Sequence, residues 1–309
     1  MGVRRFDVFG MCNAIFDVQC DVGPDVLAGA GLVPGTMRLV DRAEQASLLD
    51  AFGRHVVNSE AGGAGANTMI GLGQLGARSV FTSRVGDDAH GREYAASLHR
   101  WGVQPNLGTS AESTGVSLIA ITPDAQRTMN THLGASRTLS AEHLSLEDLG
   151  ASGYLYVTGY LWDTEPQKAA VTAAMRHANS LGIPVAFSLA DLFCVDRHKS
   201  DFNALLDAHV DVVIANADEA KEMTGIADVR EAAVALARRT GHLAVVTMDR
   251  RGSLLVDASG VEEIPAFPVD TVDTTGAGDM YAAGILYGLV RSLDRRRTGL
   301  LASWLAAKV

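Results

Sequence analysis

The chain has 309 residues, 47% of them hydrophobic and 20% charged, and its formal net charge is −10 at pH 7. This composition is ordinary for a globular protein with a large core, and the acidic charge argues against nucleic acid as a partner. No apolar run reaches the roughly 20 residues of a membrane span, and the three scattered cysteines do not suggest a disulfide framework. We therefore expect a cytoplasmic monomer or homodimer that binds small molecules and has no membrane partner.

Short apolar runs alternate with helical patterns along the chain. The runs predicted as strands are "RFDVFGM", "SVFTSRV", "YLYVTG", "PVAFSL", "DVVIAN" and "LAVVTM". Helices are expected in "NTMIGLGQLG" and "GREYAASLHRW", from near Pro166, Phe202, Ala217 and Val229, and over 277–291 and 296–309. This alternation predicts one α/β domain over 1–309 with a mostly parallel sheet between helices.

Two regions, about 12–42 and 108–132, interrupt this alternation. They lack helical periodicity, and "TGVSLIAIT" and "QRTMNTH" are typical of strands. We predict that they form a small β lid over the carboxyl edge of the main sheet, where ligands bind in open α/β folds. A separate hairpin is expected in "SLLVDASGVEEIPA".

The stretch "GAGD", Gly276 to Asp279, stands at the predicted start of a helix. Helix N-termini attract anions, and glycine lets the backbone come close to a phosphate. Asp279 in the first turn would be kept ionised by the helix dipole, which suits a general base. A helix start with a merely stabilising acidic residue is the alternative interpretation.

A second glycine stretch, "EAGGAGANTMIGLGQLG", suggests a ligand cradle at another helix start or, alternatively, a flexible turn. It ends in "GLGQLG", which satisfies the dinucleotide-binding pattern literally but follows a helix instead of opening one. A dehydrogenase is therefore disfavoured. The sequence also has no Gly-Lys dipeptide of a Walker loop, no HExxH and no GxSxG.

Four segments, in this order, resemble the ribokinase-like (PfkB) family of carbohydrate and nucleoside kinases. They are "GMCNAIFDV", similar to the first strand of the adenosine kinases in that family, "GGAGANTMIGLGQLG" with "VGDDAHG", "NADEAKEMTG", and "DTTGAGD". The resemblance implies a three-layer sandwich with a β lid. It also implies transfer of phosphate from ATP to an alcohol group with the help of Mg²⁺.

The resemblance implies roles for the residues around the transferred phosphate. Asp279 would be the base, and Gly276, Ala277 and Gly278 would form an anion hole. Asn216 and Glu219 would hold Mg²⁺ through water, although "NADEAKEM" also fits a simple capped helix. ATP would be bound by Asn216, Thr247, Gly252, Gly276 and Gly278. A monovalent cation such as K⁺ would be bound by Asp273 and Thr275.

The acceptor would bind at Asn13 and Asp17, with Arg127 from the lid reaching either the transferred phosphate or only solvent. Gly62, Gly63 and Asn67 would complete that pocket. Phe16, Tyr160 and Phe193 are candidates to sandwich a purine, and Arg127 or Arg137 would face a sugar acid. Adenosine is the favoured acceptor, with ribose, fructose or a keto-deoxy sugar acid as alternatives, and a binding protein without turnover is the rival class.

One segment departs from the family pattern. Many members have T-x-G-x-x-G near the adenine, whereas this chain has "TMDRRG", in which Asp249 replaces the first glycine. The preference for ATP over GTP is therefore left open, as is the effect of Cys12 beside the expected sugar site.

Overall fold

The centre of the protein is a nine-stranded sheet in a computed structural model, of which residues 4–124, 126–269 and 276–309 are described. Seven strands run parallel, and a hairpin adds two antiparallel strands at one edge. In spatial order the strands are β14 (Gly260–Ile264), β13 (Ser253–Asp257), β12 (Leu243–Thr247), β11 (Val212–Asn216), β10 (Val185–Ser188), β9 (Ser152–Thr158), β1 (Phe6–Met11), β5 (Ser79–Gly86) and β6 (Val103–Ser110).

Helices cover both faces of this sheet. On β9, Tyr156 belongs to one buried apolar cluster, and its neighbours Leu155 and Val157 belong to another. Alternate side chains of a strand point to opposite faces, so the two clusters are the cores above and below the sheet. The three-layer α/β architecture is confirmed. The helices are α1 (Pro24–Gly29), α2 (Arg42–Phe52), α3 (Ala64–Gln74), α4 (Ala89–Arg100), α5 (Leu146–Gly150), α6 (Glu165–Ser180), α7 (Leu192–Ala208), α8 (Ala217–Thr224), α9 (Val229–Thr240), α10 (Ala277–Val290) and α11 (Arg295–Ala306).

A second sheet has five strands, in the spatial order β3 (Met37–Leu39), β8 (Arg127–His132), β7 (Gly115–Ile121), β2 (Ile15–Asp21) and β4 (Val56–Gly62). Strands β7 and β8 match the predicted pair. Strand β4 lies outside the predicted ranges 12–42 and 108–132. The sequence did not predict it, because the polar Asn58, Ser59 and Glu60 weaken its apolar pattern. Helix α1 interrupts the first of those ranges.

The helix expected from Phe202 begins ten residues earlier, at Leu192, so that predicted boundary was wrong. Asp191 caps its first turn by accepting a hydrogen bond from the Cys194 amide at 2.6 Å. The polar residues that follow weaken the helical pattern, and His198 leaves helical geometry with φ −124° and ψ 16°. No described helix is both long and apolar enough to cross a membrane.

Two of the three glycines of "GLGQLG", Gly71 and Gly73, allow close packing of helix α3. A Cβ on Gly71 would lie 2.9 Å from the Ala283 Cβ on α10, and one on Gly73 would lie 2.1 Å from the Trp101 carbonyl oxygen. Both glycines lie on α3, which ends at Gln74 before β5 begins. The order helix then strand is the reverse of a dinucleotide fingerprint, as the sequence indicated.

Gly284→Ala should destabilise the protein by about 1–3 kcal/mol, because a Cβ there would lie 2.4 Å from the Ala302 Cα where α10 packs on α11. Gly29→Ala on α1 is the control, since its Cβ would meet nothing within 4 Å. Urea denaturation of both variants measures the difference. Equal stability of the two would mean that the α10–α11 contact is looser than described.

Candidate active site

Helix α10 begins at an open, glycine-lined turn. Gly276, the residue before the helix, has φ 83°, a conformation that glycine adopts without strain. No side chain among the described residues caps this helix start, and a Cβ on Gly278 would meet nothing within 4 Å. No side chain of the described residues therefore satisfies the first-turn amides, and amides at a helix start attract anions in general.

Asp279, in the first turn of α10, is held by two residues of α3. Its Oδ2 accepts a hydrogen bond from Asn67 Nδ2 at 3.0 Å, and its backbone carbonyl accepts one from Thr68 Oγ1 at 3.2 Å. Burial raises the pKa of Asp279 to about 7, the opposite of the lowering expected from the helix dipole, and the Asn67 hydrogen bond opposes that rise. A carboxyl with this pKa is suited to accept a proton near neutral pH.

A second carboxyl, Asp17 on β2, faces the same region. Burial and the charge of Asp279 raise its pKa to about 7, while the charge of Arg127 lowers it. A Cβ on Gly62 would fall 2.0 Å from Asp17 Oδ2, so only glycine leaves room for this carboxyl. Gly63 has φ 83°, and a Cβ there would lie 2.9 Å from the Asn13 carbonyl oxygen.

Asn13 lies between β1 and β2 and is 5% exposed. Its Nδ2 donates to the Tyr160 carbonyl oxygen at 3.1 Å, and its Oδ1 accepts from Gln167 Nε2 at 2.7 Å. The side chain is thus anchored on both sides at the border of the central cavity.

The central cavity, of about 340 Å³, lies between the five-stranded sheet, α7 and the start of α10. Six of the predicted site residues line it: Asn13, Asp17, Gly63, Asn67, Gly276 and Asp279. A smaller cavity of about 170 Å³ lies at the carboxyl ends of β9 to β12 and is lined by Asn216, Glu219, Thr247, Gly278 and Asp279. Asp279 therefore borders both cavities.

Asn216 and Glu219 form a capping box at the start of α8. Asn216 Oδ1 accepts from the Asp218 and Glu219 amides, both at 2.9 Å, and Glu219 Oε2 accepts from the Asn216 amide at 3.0 Å. The capped helix considered from sequence is therefore present, at the edge of the smaller cavity. Burial raises the pKa of Glu219 to about 7.

Several predicted site residues lie elsewhere. Arg127 lines a third cleft, together with Asp17 and Gly276. Gly252 is required by the fold, since it has φ 88° and a Cβ would fall 1.9 Å from the Ile264 carbonyl oxygen. Four predicted residues line neither of the two cavities: Gly62, Gly252, Ala277 and the exposed Arg137. The predicted cation ligands Asp273 and Thr275 lie outside the described residues.

Sequence reasoning missed other residues of the two cavities. Tyr156, Thr158 and Ser188 line the smaller one from the ends of β9 and β10. Both strands were predicted, so the rule that parallel strands place their carboxyl ends at one edge could have identified these residues. Asp163, Asp191 and Arg197 line the central cavity, and no sequence pattern marks them.

Asp279→Asn should raise the Tm relative to wild type more at about pH 8 than at about pH 5. The folded-state pKa of Asp279 lies above its ordinary value, so wild-type stability falls as pH rises toward 7 and the buried carboxyl ionises. The uncharged amide removes that loss. Asp87→Asn, at an 86% exposed side chain, controls for loss of a surface charge. A Tm difference that shrinks with rising pH would contradict the assignment.

Comparison with known proteins shows the family of the chain. A family model described as pfkB family carbohydrate kinase matches residues 51–309. A fructokinase of Klebsiella pneumoniae is 30% identical over 237 residues, which cover 74% of this chain and 76% of that protein.

Solved structures extend the similarity over almost the whole chain. The adenosine kinase of Sinorhizobium meliloti is 33% identical with a TM-score of 0.87, covering 98% of this chain and 93% of that one. A probable sugar kinase protein of Rhizobium etli CFN 42 is 30% identical with a TM-score of 0.90, covering 99% and 93%. The chain belongs to the pfkB family of carbohydrate kinases, and it is an ATP-dependent kinase of the sugar and nucleoside class.

Proposed function

We propose that the protein transfers the γ-phosphoryl group of ATP to a primary hydroxyl of a ribonucleoside, with adenosine as the favoured acceptor. The observation that carries this proposal is the mixed lining of the central cavity. Asn13, Asp17, Asn67 and Asp279 contribute polar groups, and several apolar side chains of the five-stranded sheet line the same cavity. A nucleoside combines a polar ribose with the apolar faces of a base, whereas a free sugar carries hydroxyls all round.

The apolar side chains that line the central cavity come mainly from the five-stranded sheet, together with Phe193 on α7. On the sheet, Met37, Leu39, Ile119 and Met129 line the cavity, and Met37 and Leu39 are each 50% exposed. We propose that this sheet is a lid that closes on the acceptor and covers these side chains. Closure would also exclude water, which competes with the acceptor hydroxyl for ATP.

Phe193 on α7 is the best-supported platform for the base. Its side chain lines the cavity yet is 57% exposed, and the Arg197 guanidinium lies 4.1 Å from the ring centroid. Arg197 also pairs with Asp163 at 2.8 Å, which fixes the arrangement. An exposed aromatic ring inside a cavity is well suited to stack on a purine. Of the other purine candidates, Tyr160 lines the cavity, whereas the buried Phe16 stacks on His90.

In the reaction, Asp279 takes the proton from the acceptor hydroxyl as that oxygen attacks the γ-phosphorus. The bond from the γ-phosphorus to the bridging oxygen breaks, and ADP leaves. The amides of Gly276, Ala277 and Gly278 offset the charge on the transferring group, as phosphoryl transfer requires. Asn67 holds the Asp279 carboxylate toward the acceptor.

Mg²⁺ would be held on the side of Asn216 and Glu219, where it would neutralise phosphate charge. The described residues contain no cluster of three or more His, Cys, Asp or Glu suited to bind a metal alone. That fits Mg²⁺, which keeps several waters and binds through one or two carboxylates and the substrate phosphates. Thr247 would approach the donor, Arg127 the transferred phosphate, and Asp273 and Thr275 a monovalent cation such as K⁺.

A sugar acceptor is the second candidate, supported by the similarity to fructokinases. We expect a panel of adenosine, other ribonucleosides, ribose, fructose and a keto-deoxy sugar acid, assayed for ADP release with ATP and Mg²⁺, to give the highest kcat/KM for adenosine. A higher kcat/KM for a sugar would overturn the acceptor assignment. A nucleoside that raises the Tm without ADP release would be a ligand of the kinase but not its acceptor.

Phe193→Ala should raise the KM for adenosine about tenfold or more, since stacking of a base on an aromatic ring contributes about 1–3 kcal/mol. The KM for any sugar that is turned over should change much less. Leu181→Ala, at a 53% exposed apolar residue that does not line the cavity, is the control. An unchanged KM for adenosine would rule out Phe193 as the platform.

A further inference from the structure

Gln167, near the start of α6, is completely buried, and both its side-chain nitrogen and its side-chain oxygen have hydrogen-bond partners. Its Nε2 donates to Asn13 Oδ1 at 2.7 Å and to the Ser136 carbonyl oxygen at 2.9 Å. Its Oε1 accepts from Thr164 Oγ1 at 3.0 Å. The glutamine thus connects the first turn of a helix to the side chain that borders the central cavity.

These bonds fix which way both amides face. Nε2 of Gln167 must point to Ser136, because a backbone carbonyl only accepts. Asn13 must then turn its oxygen to Gln167 and its nitrogen to the Tyr160 carbonyl, which also only accepts. Flipping either amide would set oxygen against oxygen or nitrogen against nitrogen in a buried place, where unpaired polar groups are costly.

An asparagine nitrogen carries two N–H groups, and one of those on Asn13 is used by the Tyr160 carbonyl. Because the Asn13 side chain lines the central cavity, its second N–H is the group available to a bound acceptor. Asn13 is therefore held as a donor. The carboxylate of Asp17, which lines the same cavity, is a hydrogen-bond acceptor. Two neighbouring hydroxyls of a bound acceptor would therefore meet one donor, Asn13, and one acceptor, Asp17.

We propose that Gln167 is a positioning residue, which locks Asn13 as a hydrogen-bond donor to an acceptor hydroxyl that is not the one phosphorylated. This rests on the proposed function for the part that Asn13 takes in acceptor binding. Gln167 touches no substrate itself. It selects for a sugar ring bearing a hydroxyl at that point, such as the 2′- or 3′-hydroxyl of a ribonucleoside.

Gln167→Met keeps the side-chain length and removes the lock. The KM for adenosine should rise about tenfold, with kcat within about threefold of wild type, because binding and not chemistry is affected. Gln45→Met is the matched control. Gln45 is also a buried helical glutamine on α2, outside the cavity lining, and its side-chain N and O have no hydrogen-bond partner among the described residues.

A double-mutant cycle with Asn13→Ala separates positioning from general loss of stability. We expect Gln167→Met to add little to KM in the Asn13→Ala background. We also expect it to reduce the preference for adenosine over the deoxyadenosine that lacks the bonded hydroxyl. Effects on KM that multiply, or an unchanged preference, would overturn the proposal while leaving Asn13 in the site.

Asn13→Asp provides a test that does not need Gln167→Met to fold. It keeps an oxygen for Gln167 but removes both N–H groups, so that the acceptor hydroxyl and the Tyr160 carbonyl each lose a donor and KM should rise at least as much as in Asn13→Ala. A wild-type KM for Asn13→Asp would refute the donor assignment alone. A wild-type KM for Asn13→Ala, with adenosine still phosphorylated, would refute the role of Asn13 and with it this inference.

Discussion

The hydrogen bond between Asn67 and Asp279 joins the two helices on which the site depends. Helix α3 follows the glycines that admit Asp17, and α10 supplies the candidate base and phosphate turn. These helices can approach closely because Gly71 has no Cβ, and a Cβ there would lie only 2.9 Å from the Ala283 Cβ on α10. The packing of α3 against α10 thus sets the position of the Asp279 carboxyl. It also brings Asn67 and Asp279, which are far apart in sequence, to the lining of one cavity.

Three carboxyls around this contact have their pKa raised to about 7, chiefly by burial: Asp17, Glu219 and Asp279. Ionising them costs free energy in the folded protein. Each fits a ligand that would offset this cost in our proposal, namely an acceptor hydroxyl for Asp17 and Asp279 and a hydrated Mg²⁺ for Glu219. The stability of the folded protein should therefore fall as pH rises toward 7 and these groups ionise, and carboxyls with a raised pKa are common at functional sites.

Sequence patterns predicted the α/β architecture, the hairpin and the start of α10, because these follow from local periodicity and turn chemistry. They did not predict β4, whose polar residues hide the strand, or the start of α7 at Leu192. Gly276, Asn67 and Asp279 were expected at one site, and they line one cavity. Gln167, Asp163 and Arg197 could not be found this way, since their positions depend on contacts between distant segments.

The most direct test of the central claim is the kcat of Asp279→Asn with ATP and adenosine both saturating, measured together with the adenosine Kd by calorimetry. The account predicts a kcat at least about 10²-fold below wild type with a Kd within about tenfold, because the base is lost but the cavity remains. A kcat within about threefold of wild type would contradict it, and the carboxylate at the start of α10 would then not be the base.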